Sequence, residues 1–194
     1  MRNIKNYQNK TDEELVALTL RDKANFAFLI ERYNSKLLRY IKRITNVAVE
    51  EAEDILQDSF INAYINLNDF DKDLKFSSWI YRITHNQVIN NFRKNKVRPQ
   101  GNSIDIEREI LENIAAEFEI EKNIDLGILG KNVNEILSHV EEKYREALIL
   151  KFLEDKDYRE ISDILKKPMG TVATLINRGK KQFKQELIRL NIKL

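Results

Sequence analysis

No glycine or proline interrupts this sequence before Pro99. A run of that length without the two strongest backbone punctuators does not suit the frequent tight turns of a sandwich or barrel; it suits helices. The five glycines and two prolines of the 194-residue chain gather at Pro99 with Gly101, Gly127 with Gly130, Pro168 with Gly170, and Gly179. They separate a long first part, a middle segment and a last part. With 42% hydrophobic and 33% charged residues, the chain can build one or two modest cores under a highly charged surface. No internal repeat or low-complexity tract is present.

The apolar residues confirm the helical reading by their period. Thr11-Asp12-Glu13-Glu14 has the form of a capping box and predicts a helix start at Thr11. Phe26, Leu29, Ile30, Tyr33, Leu37, Ile41 and Ile44 recur at helical spacing and predict a helix over about 24–45. Ala52, Leu56, Phe60, Ala63 and Leu67 predict another over about 49–67, whose opposite face shows Glu50, Glu51, Asp54, Gln57, Asp58 and Asn62. A polar loop, Asn66 to Lys75, leads to a fourth helix over about 76–95 that carries Phe76, Trp79, Ile80, Ile83 and Phe92. In the last part, short helices are expected over about 133–139, 141–153 and 158–165. Pro168 then opens a final helix, where its missing N–H is harmless.

The net charge of +2 conceals a strong pattern. Successive blocks carry +5 (1–45), −7 (46–71), +6 (72–98), −8 (99–155) and +6 (156–194). Basic blocks suit polyanions and acidic blocks suit basic protein surfaces. From Arg82 to Arg98 there are five basic groups and no acidic one, interleaved with His85, Asn86, Gln87, Asn90, Asn91 and Asn95. Such a helix, with Phe76, Trp79 and Tyr81 near its start, has the chemistry to hold single-stranded DNA. The spacing of Trp79 with Ile80 and Ile83 places that ring in the core instead. The middle segment is acidic, with 8 acidic and 3 basic groups from Gln100 to Lys131, and is the natural linker.

Several functional classes fall away. The chain has no cysteine, so disulfides, thiolate metal sites and cysteine nucleophiles are excluded. The acidic residues lack EF-hand spacing, and no His-Glu-x-x-His or phosphate-cradling glycine loop occurs. His85 and His139 lie in separate segments, where surface or satisfied core roles suit them better than catalysis. We expect no catalytic residues, no metal and no cofactor. No apolar run is long enough to span a membrane, and the polar residues after Met1 do not form a signal peptide, so no membrane insertion and a cytoplasmic location are expected.

The last 40 residues have the form of a helix-turn-helix. Tyr158 to Leu165 makes a short helix, followed by a turn and a longer basic helix. There Val172, Ile176, Phe183 and Leu187 fall on one stripe, and Gly170, Thr171, Ala173, Thr174, Asn177, Arg178 and Lys181 on the other. Short polar side chains near the start of such a helix reach base edges in the major groove, while Arg and Lys meet phosphates. A stand-alone helix-turn-helix regulator of duplex DNA is one reading, but it leaves the acidic third helix and the basic fourth without a role.

Three segments together resemble a known family. Glu53-Asp54-Ile55-Leu56-Gln57-Asp58-Ser59-Phe60 is similar to the Asp-Leu-x-Gln-Glu-x-Phe signature of region two of the extracytoplasmic-function (ECF) branch of bacterial RNA polymerase sigma factors. Phe76 to Ile83 followed by Asn86 is similar to its Phe-x-x-Trp-Leu-x-x-Ile-x-x-Asn signature. Tyr158 to Leu165 followed by Gly170-Thr171-Val172 is similar to its region-four helix-turn-helix.

The resemblance implies an all-α fold: region two over 1–97, an acidic linker over 98–131, and region four with the helix-turn-helix over 132–194. Its partners would be core polymerase, through the β′ clamp and the β flap, and promoter DNA, both duplex and single-stranded. An anti-sigma factor is a candidate partner. Asp54, Gln57, Asp58 and Ile61 would dock on the polymerase. Asn68, Asp69, Lys75, Arg82, His85, Asn86, Asn90 and Arg93 would read and hold the melted minus-ten element. Thr171, Ala173, Thr174, Asn177, Arg178 and Lys181 would read the minus-thirty-five element. Ala173-Thr174-Leu175 stands where the family often has Lys-Ser-Arg, and Asn177 where it often has His, which bears on the bases read.

Overall fold

The computed structural model describes residues 7, 9–45, 47–71, 73–97 and 132–192; the expected linker over 98–131 lies outside the described residues. Four helices form the first part: α1 (Asp12–Arg21), α2 (Phe26–Ile44), α3 (Val49–Ile65) and α4 (Phe76–Val97). The capping box closes as the sequence predicts: Thr11 Oγ accepts from the Glu14 amide at 3.2 Å, and Glu14 Oε2 accepts from the Thr11 amide at 2.7 Å. Asp22 leaves helical geometry to end α1, and its carboxylate caps the 3-10 turn Lys23–Asn25 through the Ala24 amide at 3.1 Å.

The apolar stripes meet in one core. Leu15 and Val16 of α1, Leu29, Leu37 and Ile41 of α2, Ala52 and Leu56 of α3, and Phe76 and Ile80 of α4 are buried together. Each large apolar side chain removed from water there contributes roughly 1.5–3 kcal/mol. Trp79 is buried and meets Phe70 and Phe76 at ring centroid distances of 5.4 and 5.6 Å. The core reading of Trp79 therefore holds, and Phe76 and Tyr81 join it. Asp12 links the helices by polar contact: Arg32 Nη1 donates to it at 2.6 Å and the Tyr33 hydroxyl donates to its other oxygen. Phe92, expected on the apolar stripe, is instead 38% exposed.

In the last part, a helix over 132–138 (α5) precedes α6 (Glu142–Leu148), which widens into a π-helical turn at Ile149–Leu153. The single helix expected over 141–153 is thus an α-helix with a wider last turn. Asp155, at φ 50°, then redirects the chain. α7 (Tyr158–Leu165) starts with a second capping box, made by Asp157 and Glu160. The turn that follows places Lys166 in the left-handed region at φ 53°, and the Lys167 amide donates to the Ser162 carbonyl at 3.2 Å. α8 (Met169–Arg189) follows, with Pro168 at its N-cap rather than in its first turn. Val172, Leu175 and Ile176 are buried under α7 and α6. Gly179 is helical, not a punctuation mark: it is buried where α8 crosses Leu148 of α6. α4 lies along α7, so a continuous core runs through both parts.

Candidate nucleic-acid interface

Three exposed faces carry the chemistry singled out in the sequence. On α3, Ala52, Ile55, Leu56, Ser59, Phe60 and Ala63 turn inward, which leaves Asp54, Gln57, Asp58 and Ile61 on the solvent side. Beside them an apolar groove of about 530 Å³ opens between α2 and α3, lined by Ile30, Leu38, Phe60, Ile61 and Tyr64 among others. Ile61 is 50% exposed at its lip. A carboxylate row flanking an apolar groove fits a basic helical surface that also carries apolar anchors.

The second face runs from the 3-10 turn Leu67–Asp69 into α4. Leu67 and Phe70 are buried and pin the turn at both ends, so Asn68 and Asp69 project outward. Arg82, Asn86, Asn90 and Arg93 follow at intervals of four, four and three residues. On a helix that spacing is one stripe; Asn86, Asn90 and Arg93 are exposed and Arg82 is half-buried. Lys75 is exposed at the head of α4 and lies 3.5 Å from both Asp157 Oδ2 and Glu160 Oε1. The Glu160 charge raises its pKa further.

His85 departs from the expectation. It is 5% exposed, and its Nδ1 lies 3.2 Å from the Tyr40 hydroxyl. Burial, and then the charge of Lys167, push its pKa down to about 4, so the ring is neutral near pH 7. In this arrangement His85 is a satisfied core residue that DNA does not reach. The sequence shows His85 within a basic, amide-rich run, but not that it turns toward Tyr40 of α2 in the core.

The third face belongs to α8. Thr171, Thr174, Asn177, Arg178 and Lys181 are exposed in a row, with Ala173 half-buried beside them. Thr174 Oγ donates to the Gly170 carbonyl at 2.9 Å, so its hydroxyl proton is committed and it presents acceptor lone pairs and a methyl group outward. Val172 and Ile176 hold the helix from behind. Among the described residues, no group of three or more His, Cys, Asp or Glu is placed to hold a metal ion, and no helix is long and apolar enough to cross a membrane.

Comparison with known proteins decides the family. Sigma-70 region 2 matches residues 29–98 and sigma-70 region 4 matches 131–183. The ECF RNA polymerase sigma factor SigW of Bacillus subtilis is 32% identical over 173 residues, covering 86% of this chain and 90% of that protein. The chain belongs to the ECF RNA polymerase sigma factors. This sigma factor is also 31% identical to the RNA polymerase sigma-H factor of Pseudomonas aeruginosa, across 91% of this chain and 93% of the other. It is 32% identical to the sigma-E factor of Escherichia coli K12, across 92% and 97%. Two solved structures share the fold. CnrH in complex with the cytosolic domain of CnrY superposes with a TM-score of 0.68 at 20% identity, covering 93% of this chain and 99% of that one. RpoE of Bartonella quintana, bound to the anti-sigma factor NepR, gives 0.62 at 16% identity, covering 84% and 96%. As a member of this family, the protein binds RNA polymerase, acts in transcription initiation and is not an enzyme.

Two residues of consequence carried no functional signal in the sequence. Glu154 and Glu160 are largely buried against the first part: Tyr81 donates to Glu154 Oε2 at 2.6 Å, and Ser77 and Ser78 donate to Glu160 Oε1 at 3.3 Å each. Asp157-x-x-Glu160 is legible as a capping box, but partners some 80 residues away are not.

Proposed function

We propose that this sigma factor divides promoter recognition among its three faces. Asp54, Gln57, Asp58 and Ile61 dock on the β′ clamp of core polymerase. Their shared exposure beside the α2–α3 groove supports this, because it offers charge for encounter and apolar surface for retention. Asn68, Asp69, Lys75 and the stripe Arg82, Asn86, Asn90 and Arg93 engage the melted minus-ten strand, with amides toward bases and cations toward phosphates. His85 helps only by holding α4 against Tyr40. Thr171, Ala173, Thr174 and Asn177 read the minus-thirty-five duplex, and Arg178 and Lys181 meet its backbone.

The β flap has a fitting seat in region four. Val133, Leu137, Leu148, Phe152, Leu153 and Phe183 line an apolar groove of about 190 Å³, and Phe152 is 56% exposed there. We assign region two to 1–97, region four to 132–194 and the connecting linker to 98–131, and we place the protein in the cytoplasm. An anti-sigma factor is the further partner proposed, because the structural relative RpoE is bound to one.

The observation that carries the reading is the row of exposed polar and basic residues on α8 with its apolar side buried, in the same chain as the carboxylate face of α3. The deciding experiment is transcription of genomic fragments by core polymerase with and without this protein. Transcripts starting at defined sites only when it is present are expected. Starts that are the same with and without it would overturn the reading.

A further inference from the structure

The first basic block of the chain, over 1–45, places half of its cations on one helix. α2 carries Arg32, Lys36, Arg39, Lys42 and Arg43 against a single acid, Glu31. Arg32, Lys36, Arg39 and Arg43 recur at intervals of four, three and four residues, so they share one stripe. That stripe lies about half a turn round the helix from Ile30, Asn34 and Leu38, which line the groove against α3. A partner seated in the groove therefore leaves the stripe uncovered.

Both ends of the stripe are occupied. Arg32 Nη1 donates to Asp12 Oδ1 at 2.6 Å, and Arg43 Nη1 donates to Glu154 Oε1 at 2.7 Å. Between them Lys36 and Arg39 are exposed, and among the described residues neither pairs with a carboxylate. Every charged residue one turn away from either of them on α2 is basic. Like charges at that spacing repel, and nothing on the helix offsets it. Such a pair suits an external polyanion.

The stripe is continuous with the head of α4. Lys36 Nζ lies 5.5 Å from the Tyr33 ring centroid, and that ring packs at 5.6 Å on Phe76, the residue after Lys75. Lys156, 8% exposed, feels both ammonium groups: burial lowers its pKa and the charges of Lys36 and Lys75 add to that, while Glu160 and Glu154 act the other way. Lys36 and Lys75 thus belong to one positive field. The α1 carboxylates on this side are committed, Asp12 to Arg32 and Tyr33, and Glu13 to the Phe76 amide at 3.3 Å.

We propose that Lys36 and Arg39 form an additional backbone-binding site for single-stranded DNA, which carries the strand past Lys75 onto α2. The site rests on the assignment of Lys75 and α4 to the melted strand, since that neighbour decides which polyanion arrives. The row holds cations and no amide, so it grips phosphates of any sequence and reads no base.

The test measures binding of the full chain to a labelled single strand of mixed sequence, about 16 nucleotides long, by fluorescence anisotropy over a range of salt concentrations. Lys36→Gln with Arg39→Gln should make the salt slope shallower by about 1.4, at about 0.7 for each phosphate contact on a single strand. Lys36→Arg with Arg39→Lys keeps both charges and should retain the wild-type slope. Lys143→Gln with Lys184→Gln removes the same charge from exposed positions of region four and should leave the slope as it is. An unchanged slope in the α2 variant overturns the site. An equal loss in the region-four pair also overturns it, because net charge alone would then explain both. An equal loss on a duplex of the same length overturns the single-strand assignment. If Arg82→Gln with Arg93→Gln leaves the slope unchanged, the assignment of α4 fails, while the Lys36 and Arg39 measurement still decides the α2 site.

Discussion

Gly179 of α8 lies directly over Leu148 of α6: a Cβ at residue 179 would sit 2.9 Å from Leu148 Cγ and 3.1 Å from its Cδ1. Leu148 is 5% exposed and has little room to yield. Gly179→Ala should therefore destabilise the protein by about 1–2 kcal/mol, since overpacking outweighs alanine's gain of about 1 kcal/mol in helix propensity. Gly170→Ala, where nothing lies within 4 Å, should be neutral or slightly stabilising. Urea melts of the two variants check the contrast, and a stabilised Gly179→Ala would contradict the close approach.

Charge reversal of Asp54 and Asp58 to Lys should weaken core polymerase binding about 10-fold or more, mainly by slowing association. Duplex binding by region four should be unaffected, because both residues lie on the solvent face of α3. Association rates at two salt concentrations provide the measurement. Normal core binding by the double variant would refute the docking face.

Arg178→Ala and Lys181→Ala should each reduce the salt slope of duplex binding by about 1, lowering affinity alike on all sequences. Thr174→Ala or Asn177→Ala should instead change which base is preferred, by about 1–3 kcal/mol at the position read. Titrations on a set of single-base-substituted duplexes separate the two kinds of contact. Identical preference profiles for both would refute base reading there.

Glu146 and His85 give stability an unusual pH dependence. Burial, and then the charge of Glu142, raise the Glu146 carboxyl to about 7. The folded protein thus holds a proton that the unfolded chain releases, and stability falls as pH rises from about 4.5 to 7. His85, depressed to about 4, acts in the opposite sense: stability falls as pH drops from about 6.5 to 4. The two effects oppose each other between pH 4.5 and 6.5. Glu146→Gln should uncover the histidine effect by stabilising the protein at pH 8, by roughly 1–3 kcal/mol, and hardly at pH 4. Thermal melts across that range test it. Equal gains at pH 4 and pH 8 would rule out a raised Glu146.

The helices of region two and the helix-turn-helix were legible because their signals are local. The Thr11 capping box, the α2 stripe and the Val172–Ile176 pair depend on residues within one or two turns of each other. What escaped the sequence is tertiary. Glu154 meets Arg43 and Tyr81 across 111 and 73 residues, and no period encodes such a meeting. His85 belongs to a basic, amide-rich run that gives no local sign of its burial, and its partner Tyr40 lies 45 residues away on α2. In the sequence Gly179 looks like punctuation, since a glycine needed for close approach and one needed for a turn are the same letter. On α8 the helical period predicts which side faces solvent: Thr171, Thr174, Asn177, Arg178 and Lys181 are exposed and Ala173 is half-buried.

Thr171, Thr174, Asn177, Arg178 and Lys181 are exposed in the same arrangement in which Lys75 lies 3.5 Å from Asp157 and Glu160. On the face assignments proposed above, the side of the molecule assigned to the duplex is open while one cation assigned to the melted strand already has carboxylate neighbours, so the two promoter elements meet unequal surfaces.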